Sequence, residues 1–303
     1  MSVEELEQLR QKALKMFFLG FGITMGVSLI LVFMIGFSVP IYIHFIILSV
    51  ALVLAMVIGM FSSSNATEKY RRAYKDKYVL SSLKKVFTDL EYKPDYGLNS
   101  SVVSSAGMTT GDRYSSNDLI YGKYKDISVI QADVCIEEER ESRDKDGNVE
   151  KYYVTVFEGR WMVFDFNKEF KQNMQIREKW FYGARASRWG KNKYYKQKME
   201  DVQFNKEFNV FTQNEHEAFY ILTPRMMERI RSLNANLSGR LLLSFTNNKL
   251  HIGLHNGKDS FECSIFKKIN EEEILDEVTR EIKIITDCID ELNLDNDLFR
   301  KDA

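Results

Sequence analysis

From Met16 to Thr67 the chain is an apolar run, relieved by small and polar residues, that contains no Asp, Glu, Lys or Arg. Such a run is too long for one bilayer crossing of about 20 residues and fits two joined by a short turn. The pattern predicts helices over Met16–Gly36 and Ile41–Phe61, each about 31 Å long at 1.5 Å per residue, the thickness of a hydrocarbon core. Phe37-Ser38-Val39-Pro40 connects them. Proline lacks a backbone donor and disfavours helix in the residue before it, so Pro40 ends the turn and opens the second helix. A cleaved signal peptide fits poorly, because a second apolar span follows at once where a small-residue cleavage site belongs. Gly22 and Gly26 stand in GxxxG spacing and, with Gly20, are expected to seat the two helices together.

Beyond the spans the period changes twice. Residues 66–90 carry Tyr70, Tyr74, Leu83, Val86, Phe87 and Leu90 at helical spacing and predict a helix leaving the membrane. Residues 94–118 are rich in Ser, Gly, Asn and Asp and read as a linker. In 127–138 Ile130, Ala132, Val134 and Ile136 alternate with Gln131, Asp133, Cys135 and Glu137, the pattern of a strand with one buried face. Asp146-Gly147-Asn148 supplies a turn, and Lys151–Phe166 is aromatic and β-branched on both faces, which predicts a long hairpin with a more central second strand. Three short runs at 240–266 (RLLLSF, KLHIGLH, SFECSIF) predict an antiparallel meander. One helix is expected from the N-cap Thr223 and Pro224, with Met226, Ile230 and Leu233 on one face. Another starts at Asn270 and carries Ile274, Val278, Ile282, Ile285, Ile289 and Leu292 as a stripe that should pack on the β core.

The fold class is therefore α+β: an N-terminal transmembrane helical hairpin followed by a cytosolic antiparallel-sheet domain with flanking helices. The expected organisation is a cytosolic segment over 1–15, the hairpin over 16–61, a juxtamembrane helix and linker over 62–118, and the α+β domain over 119–303.

Charge sets the orientation. Arg10, Lys12 and Lys15 precede the first span, and Lys69, Arg71, Arg72, Lys75 and Lys77 follow the second, while the connector is uncharged. Positive flanks stay inside, so both termini are expected on the cytosolic side of the membrane, with two spans. The net charge of −1 argues against a general nucleic-acid binder. Cys135, Cys263 and Cys288 form no paired framework or metal-ligand spacing and fit a reducing compartment. Charge is also segregated along the chain. Residues 199–303 hold 13 basic and 20 acidic residues, whereas Arg177–Lys198 holds eight basic residues and one acid among aromatics. Within it Arg177, Lys179, Trp180, Arg185, Arg188, Trp189, Lys191, Lys193, Lys196 and Lys198 are the candidate contacts to an anionic surface, rings entering headgroups while cations meet phosphate. The bland reading is a solvated loop, and a nucleic-acid partner is disfavoured by the membrane tether.

Motif searches find no G-x-S-x-G, P-loop, G-x-G-x-x-G or kinase set. His251, His255 and Cys263 fall near one another in the expected meander but are too few for a zinc site. Glu271-Glu272-Glu273 is explained by a helix N-terminus, His44 by a place one turn from the membrane surface, and His216 by exposure. No catalytic, cofactor or metal residue is assigned.

The segments GDRYSSNDLIYGKY (111–124), YYVTVFEGRWMVFDFNKEF (152–170), VQFNKEFNVFTQNEHEAFYILTPRMMERI (202–230) and LLLSFTNNKLHIGLHNG (241–257) resemble the bacterial family called domain of unknown function 3137, over roughly Tyr70 to Lys267. The resemblance implies two spans before a soluble domain and a membrane-protein partner, and it carries no catalytic residue. The function expected is a membrane-anchored cytosolic binding module or scaffold in contact with the lipid bilayer, a membrane-protein partner or anionic lipid. The alternative is an enzyme acting on a membrane-associated substrate.

Overall fold

The computed structural model describes residues 1–35, 39–143, 149–165, 173–179, 194–246 and 248–294. The chain forms two compact units, Met1–Ser81 with Glu262–Val278, and Ser82–Phe261 with the chain from Thr279 onward.

The first unit is built on α1 (Val3–Ile35) and α2 (Ile41–Tyr74). Both exceed the apolar run at its charged ends, because the flanks are themselves amphipathic: α1 buries Leu6, Arg10, Ala13 and Phe17 at spacings of three or four. On α2 the buried positions are Ala51, Ala55, Gly59, Ser63 and Ala66, then Tyr70 and Tyr74. Small side chains let two helices approach closely. A Cβ on Gly59 would stand 3.0 Å from the Phe17 carbonyl oxygen, and one on Gly20 would stand 2.3 Å from Ser62 Oγ. Gly22 and Gly26, the expected seat, have open space where a Cβ would project. The GxxxG spacing falls on the wrong side of the helix, whereas Gly20, also expected at the seat, makes the close approach together with Gly59. Beyond Tyr74 the helix passes through a π turn at Lys75–Leu80 into α3 (Ser81–Val86).

The second unit is an antiparallel sheet of nine strands among the described residues: β1 (Thr88–Lys93), β2 (Arg113–Tyr124), β3 (Ile127–Arg143), β4 (Val149–Asp165), β5 (Met174–Glu178), β6 (Tyr195–Gln197), β7 (Phe208–Thr212), β8 (Arg240–Thr246) and β9 (Lys249–His255), in spatial order β1-β2-β3-β4-β9-β8-β5-β7-β6. The helices of this unit are α4 (Ser100–Ser105), α5 (Val202–Glu207), α6 (Glu215–Ile221), α7 (Pro224–Asn236) and the C-terminal part of α8 (Glu271–Leu292). α7 opens as expected, with Thr223 Oγ1 accepting from the Met226 N–H. α8 buries Val278, Ile282, Ile285, Ile289 and Leu292, the stripe read from the sequence, and Arg229 of α7 donates to its Leu292 carbonyl at 3.2 Å.

Four local expectations change. Residues 88–93 form β1 rather than the last turn of a helix, because Phe87 buries against Gly122 and Asp89 takes a left-handed φ of 48°. The stretch 94–118 holds α4 and the start of β2. β3 is buried on both faces over Gln131–Val134, since α4 with its flanking loop lies on one side and α8 on the other. SFECSIF is not a third meander strand. The far edge of β9 already pairs with β4, from Gly159↔His255 to Asp165↔Lys249, and offers no ladder.

The helix seat is testable. Gly59→Leu is expected to lower the melting temperature of the full chain in mild detergent by several degrees, whereas Gly22→Leu with Gly26→Leu leaves it unchanged. The reverse order would place the interface on the GxxxG face.

Candidate functional site

Asn117, Asp133 and Arg160 are direct cross-strand neighbours on β2, β3 and β4. A bulge between Asn117 and Ile120 turns Asp118 inward, with φ 54°, where Tyr92 Oη–H donates to its carboxylate. Asp118, Asp133 and Arg160 are all buried. Ionic groups survive there only if each is paired and hydrogen-bonded. Asp133 accepts from the Ser260 N–H at 2.8 Å and from Ser260 Oγ at 3.0 Å, and its carboxylate lies 3.9 Å from Arg160 Nε. Arg160 donates to the Glu281 carbonyl and, at 2.7 Å, to the Glu281 carboxylate on α8. Burial pushes the Asp133 carboxyl up, Arg160 opposes it, and the Asp118 charge adds to the rise.

The polar row thus ties three strands to α8, with its groups directed at one another. Alternation in the sequence had put Asp133 and Gln131 on a solvent face. The one local signal was Arg160 between Gly159 and Trp161 in a strand apolar on both sides.

His251 and His255 share a face of β9. His251 Nδ1 accepts from Trp161 Nε1 at 3.4 Å and His255 Nδ1 from the Glu158 N–H at 2.9 Å, so structure already employs these lone pairs. Burial pushes the His251 imidazole down to about 4, with Lys249 adding to the fall. Burial also raises the thiols, Cys263 and Cys288 both to about 12, so they stay protonated and poorly nucleophilic at neutral pH.

In the first unit a cavity of about 220 Å³ is lined by Tyr70, Tyr74, Cys263, Lys267, Asn270 and Glu277, among others. Beside it Lys75 is fully buried, and its ammonium meets Glu262 Oε1 at 2.7 Å. The helix-start carboxylates are engaged too, Glu271 with Lys77 at 3.3 Å and Glu273 with Lys267 at 2.6 Å.

Of the candidate surface contacts, Trp180, Arg185, Arg188, Trp189, Lys191 and Lys193 lie outside the described residues. Lys179, Lys196 and Lys198 are exposed. Arg177 is a correction: it lies inside β5, donating to Gln175 Oε1 at 2.6 Å and to the Gly107 carbonyl at 3.2 Å, where burial lowers it to about 10. A residue paired on both sides by sheet neighbours is unavailable to an external anion.

Residues 155–294, from within β4 to two residues past α8, match the family described as "Protein of unknown function (DUF3137)". The matched segment covers 140 of the 303 residues. The DUF3137 region includes Arg160, Ser260 and Glu281, while Asn117, Asp118 and Asp133 precede it. It ends further along the chain than the resemblance read from the sequence and starts later. No curated protein and no solved structure matches the chain.

Two predictions follow from these pairings. Glu262→Ala removes that carboxylate from a buried ammonium and is expected to cost about 2 to 3 kcal/mol in chemical unfolding. Lys75→Met in the same background should recover most of the loss, and equal losses in both variants would show that the pair is not coupled. For His251 the folded value lies below the unfolded one, so the neutral ring's contribution is complete above about 6.5 and is lost as pH falls toward 4. His251→Gln should therefore narrow the gap between melting temperatures at pH 7 and pH 4.5, and an unchanged gap would remove His251 from the acid response.

Proposed function

We propose that the chain is a membrane-anchored binding module or scaffold, with both termini and the DUF3137 region on the cytosolic side. One observation carries this reading. Each of α1 and α2 contains an apolar stretch long enough to cross a bilayer, and those stretches are 0% and 11% buried. Apart from Phe17 their mutual interface uses small residues, so the other large side chains of the spans face outward, with Phe33 86% and Phe61 82% exposed. A helix pair apolar around its outer circumference needs lipid as its solvent. Basic flanks at Arg10, Lys12 and Lys15 and from Lys69 to Lys77, with an uncharged connector, support the inward orientation.

Binding is favoured over catalysis because the buried ionisable groups of the sheet are directed at one another and the buried thiols stay protonated. The exposed Lys179, Lys196 and Lys198 remain candidate contacts to anionic lipid or a membrane-protein partner.

The orientation is tested by single cysteines at Val39→Cys in the connector and Lys258→Cys in the exposed turn after β9, probed in intact cells with an impermeant maleimide. The expected outcome is labelling of the connector alone, with Lys258→Cys reacting only after lysis and the chain resisting carbonate extraction. Labelling of Lys258→Cys from outside would reverse the orientation, and release by carbonate would end the anchor reading.

A further inference from the structure

The basic residues at the charged ends of α1 and α2 are not equivalent. Arg10 is spent on Glu7 and on the Ile265 carbonyl at 2.6 Å. Arg71 and Arg72 both hold Glu68, Lys75 holds Glu262, and Lys77 lies 3.3 Å from Glu271. Lys12, Lys15 and Lys69 are exposed, and among the described residues none has a carboxylate within ion-pairing distance. An orienting charge bias requires only that basic residues be present; it does not explain why these three are left unpaired while their neighbours are matched.

They converge on one place. A cleft of about 160 Å³ lies between the two helices, lined by Leu9, Lys12 and Met16 of α1 and by Asn65, Ala66 and Lys69 of α2. Its level is fixed, because Ser62 Oγ donates to the Met16 carbonyl at 3.2 Å, and Met16 is the first residue of the uncharged run. Leu9, Met16 and Ala66 supply apolar walls, while Lys12 and Lys69 stand on opposite helices. Lys12 also lines a second, wider depression with Lys15 and Met16. Two cations across an interhelical cleft at the boundary of the spans suit a phosphodiester whose acyl chains continue along the apolar helix surface.

We propose that this cleft is a headgroup site for an anionic phospholipid, with Lys12 and Lys69 clasping the phosphate and Lys15 beside them. The proposal rests on the membrane-anchored reading above and names a ligand class and a place for it. Lysine suits the role, since it meets phosphate as a compact point charge on a flexible stem.

The test uses the full chain in neutral detergent, with lipid retention measured by native mass spectrometry after addition of phosphatidylglycerol, phosphatidylcholine or inorganic phosphate. Retention of phosphatidylglycerol over phosphatidylcholine is expected, with no saturable uptake of phosphate. Lys12→Ser with Lys69→Ser should weaken that retention roughly tenfold or more, while Lys84→Ser with Lys85→Ser, an equal charge change on exposed α3 positions, should leave it intact. Melting temperatures of both variants should match the parent, since among the described residues these lysines hold no ion-pairing partner. Equal weakening by both pairs would overturn the site in favour of diffuse attraction, equal retention of the zwitterionic lipid would overturn the charge argument, and saturable phosphate uptake would overturn the lipid assignment. Carbonate extraction of the parent separates the two readings: a chain that resists extraction but retains no anionic lipid loses the cleft and keeps the anchor.

Discussion

Everything in the first unit follows from what α1 and α2 do with their apolar surface. Each helix closes its own backbone hydrogen bonds, so either is self-sufficient in hydrocarbon. Association between such helices gains little from excluding lipid, which is as apolar as leucine, and depends on close packing. Ala51, Ala55, Gly59 and Ser63 provide it on one helix and Phe17 and Gly20 on the other. Apart from Phe17 the pair meets through small side chains, so its other large ones are left outward, on helices long and apolar enough to cross a bilayer.

The charged ends continue the same helices beyond the uncharged run. There α1 buries Arg10 and α2 buries Tyr70 and Tyr74, and the segment 262–278 joins them, with Ile265 accepting from Arg10 and the Phe266 ring meeting Phe17 edge-on at 5.1 Å. Lys75 within the π turn is the extreme case, an ammonium removed from water and tolerable because Glu262 accompanies it. A π turn shifts the facing of residues that follow a regular helix, and such turns are frequent at functional positions.

In the sheet unit the corresponding problem is a charged row inside an apolar core. Desolvating Asp133 and Arg160 costs more than their attraction at 3.9 Å returns by itself. Ser260 and Glu281 supply the remaining hydrogen bonds. Such a row rewards one register of β2, β3 and β4 and one placement of α8, because a slip of one residue would move Asp133 to the other face. Gly159 belongs to the same constraint: its φ of 145° and the Leu254 carbonyl 2.2 Å from a hypothetical Cβ leave room for no side chain immediately before Arg160.

The apolar run, its length and its basic flanks were legible from residues alone, because membrane thickness and the cost of buried charge act on contiguous sequence. So were α7 and the stripe of α8, where period and caps are local. Of the close-packed glycines Gly20 was legible and Gly59 was not, since GxxxG at Gly22 and Gly26 is a spacing, and only the partner helix decides which face it meets. The alternation in β3 likewise reported one apolar face correctly and could not reveal that α8 covers the other, which turned Asp133 from a surface residue into a buried one. Arg177 went the same way, from a basic cluster in sequence to a position beneath sheet neighbours. Sequence determined what each segment needs from its solvent, because those needs are local. Tertiary structure decided which charges are matched and which are left over, because pairs such as Lys75 with Glu262 join residues far apart in the chain and form only when the elements carrying them are packed.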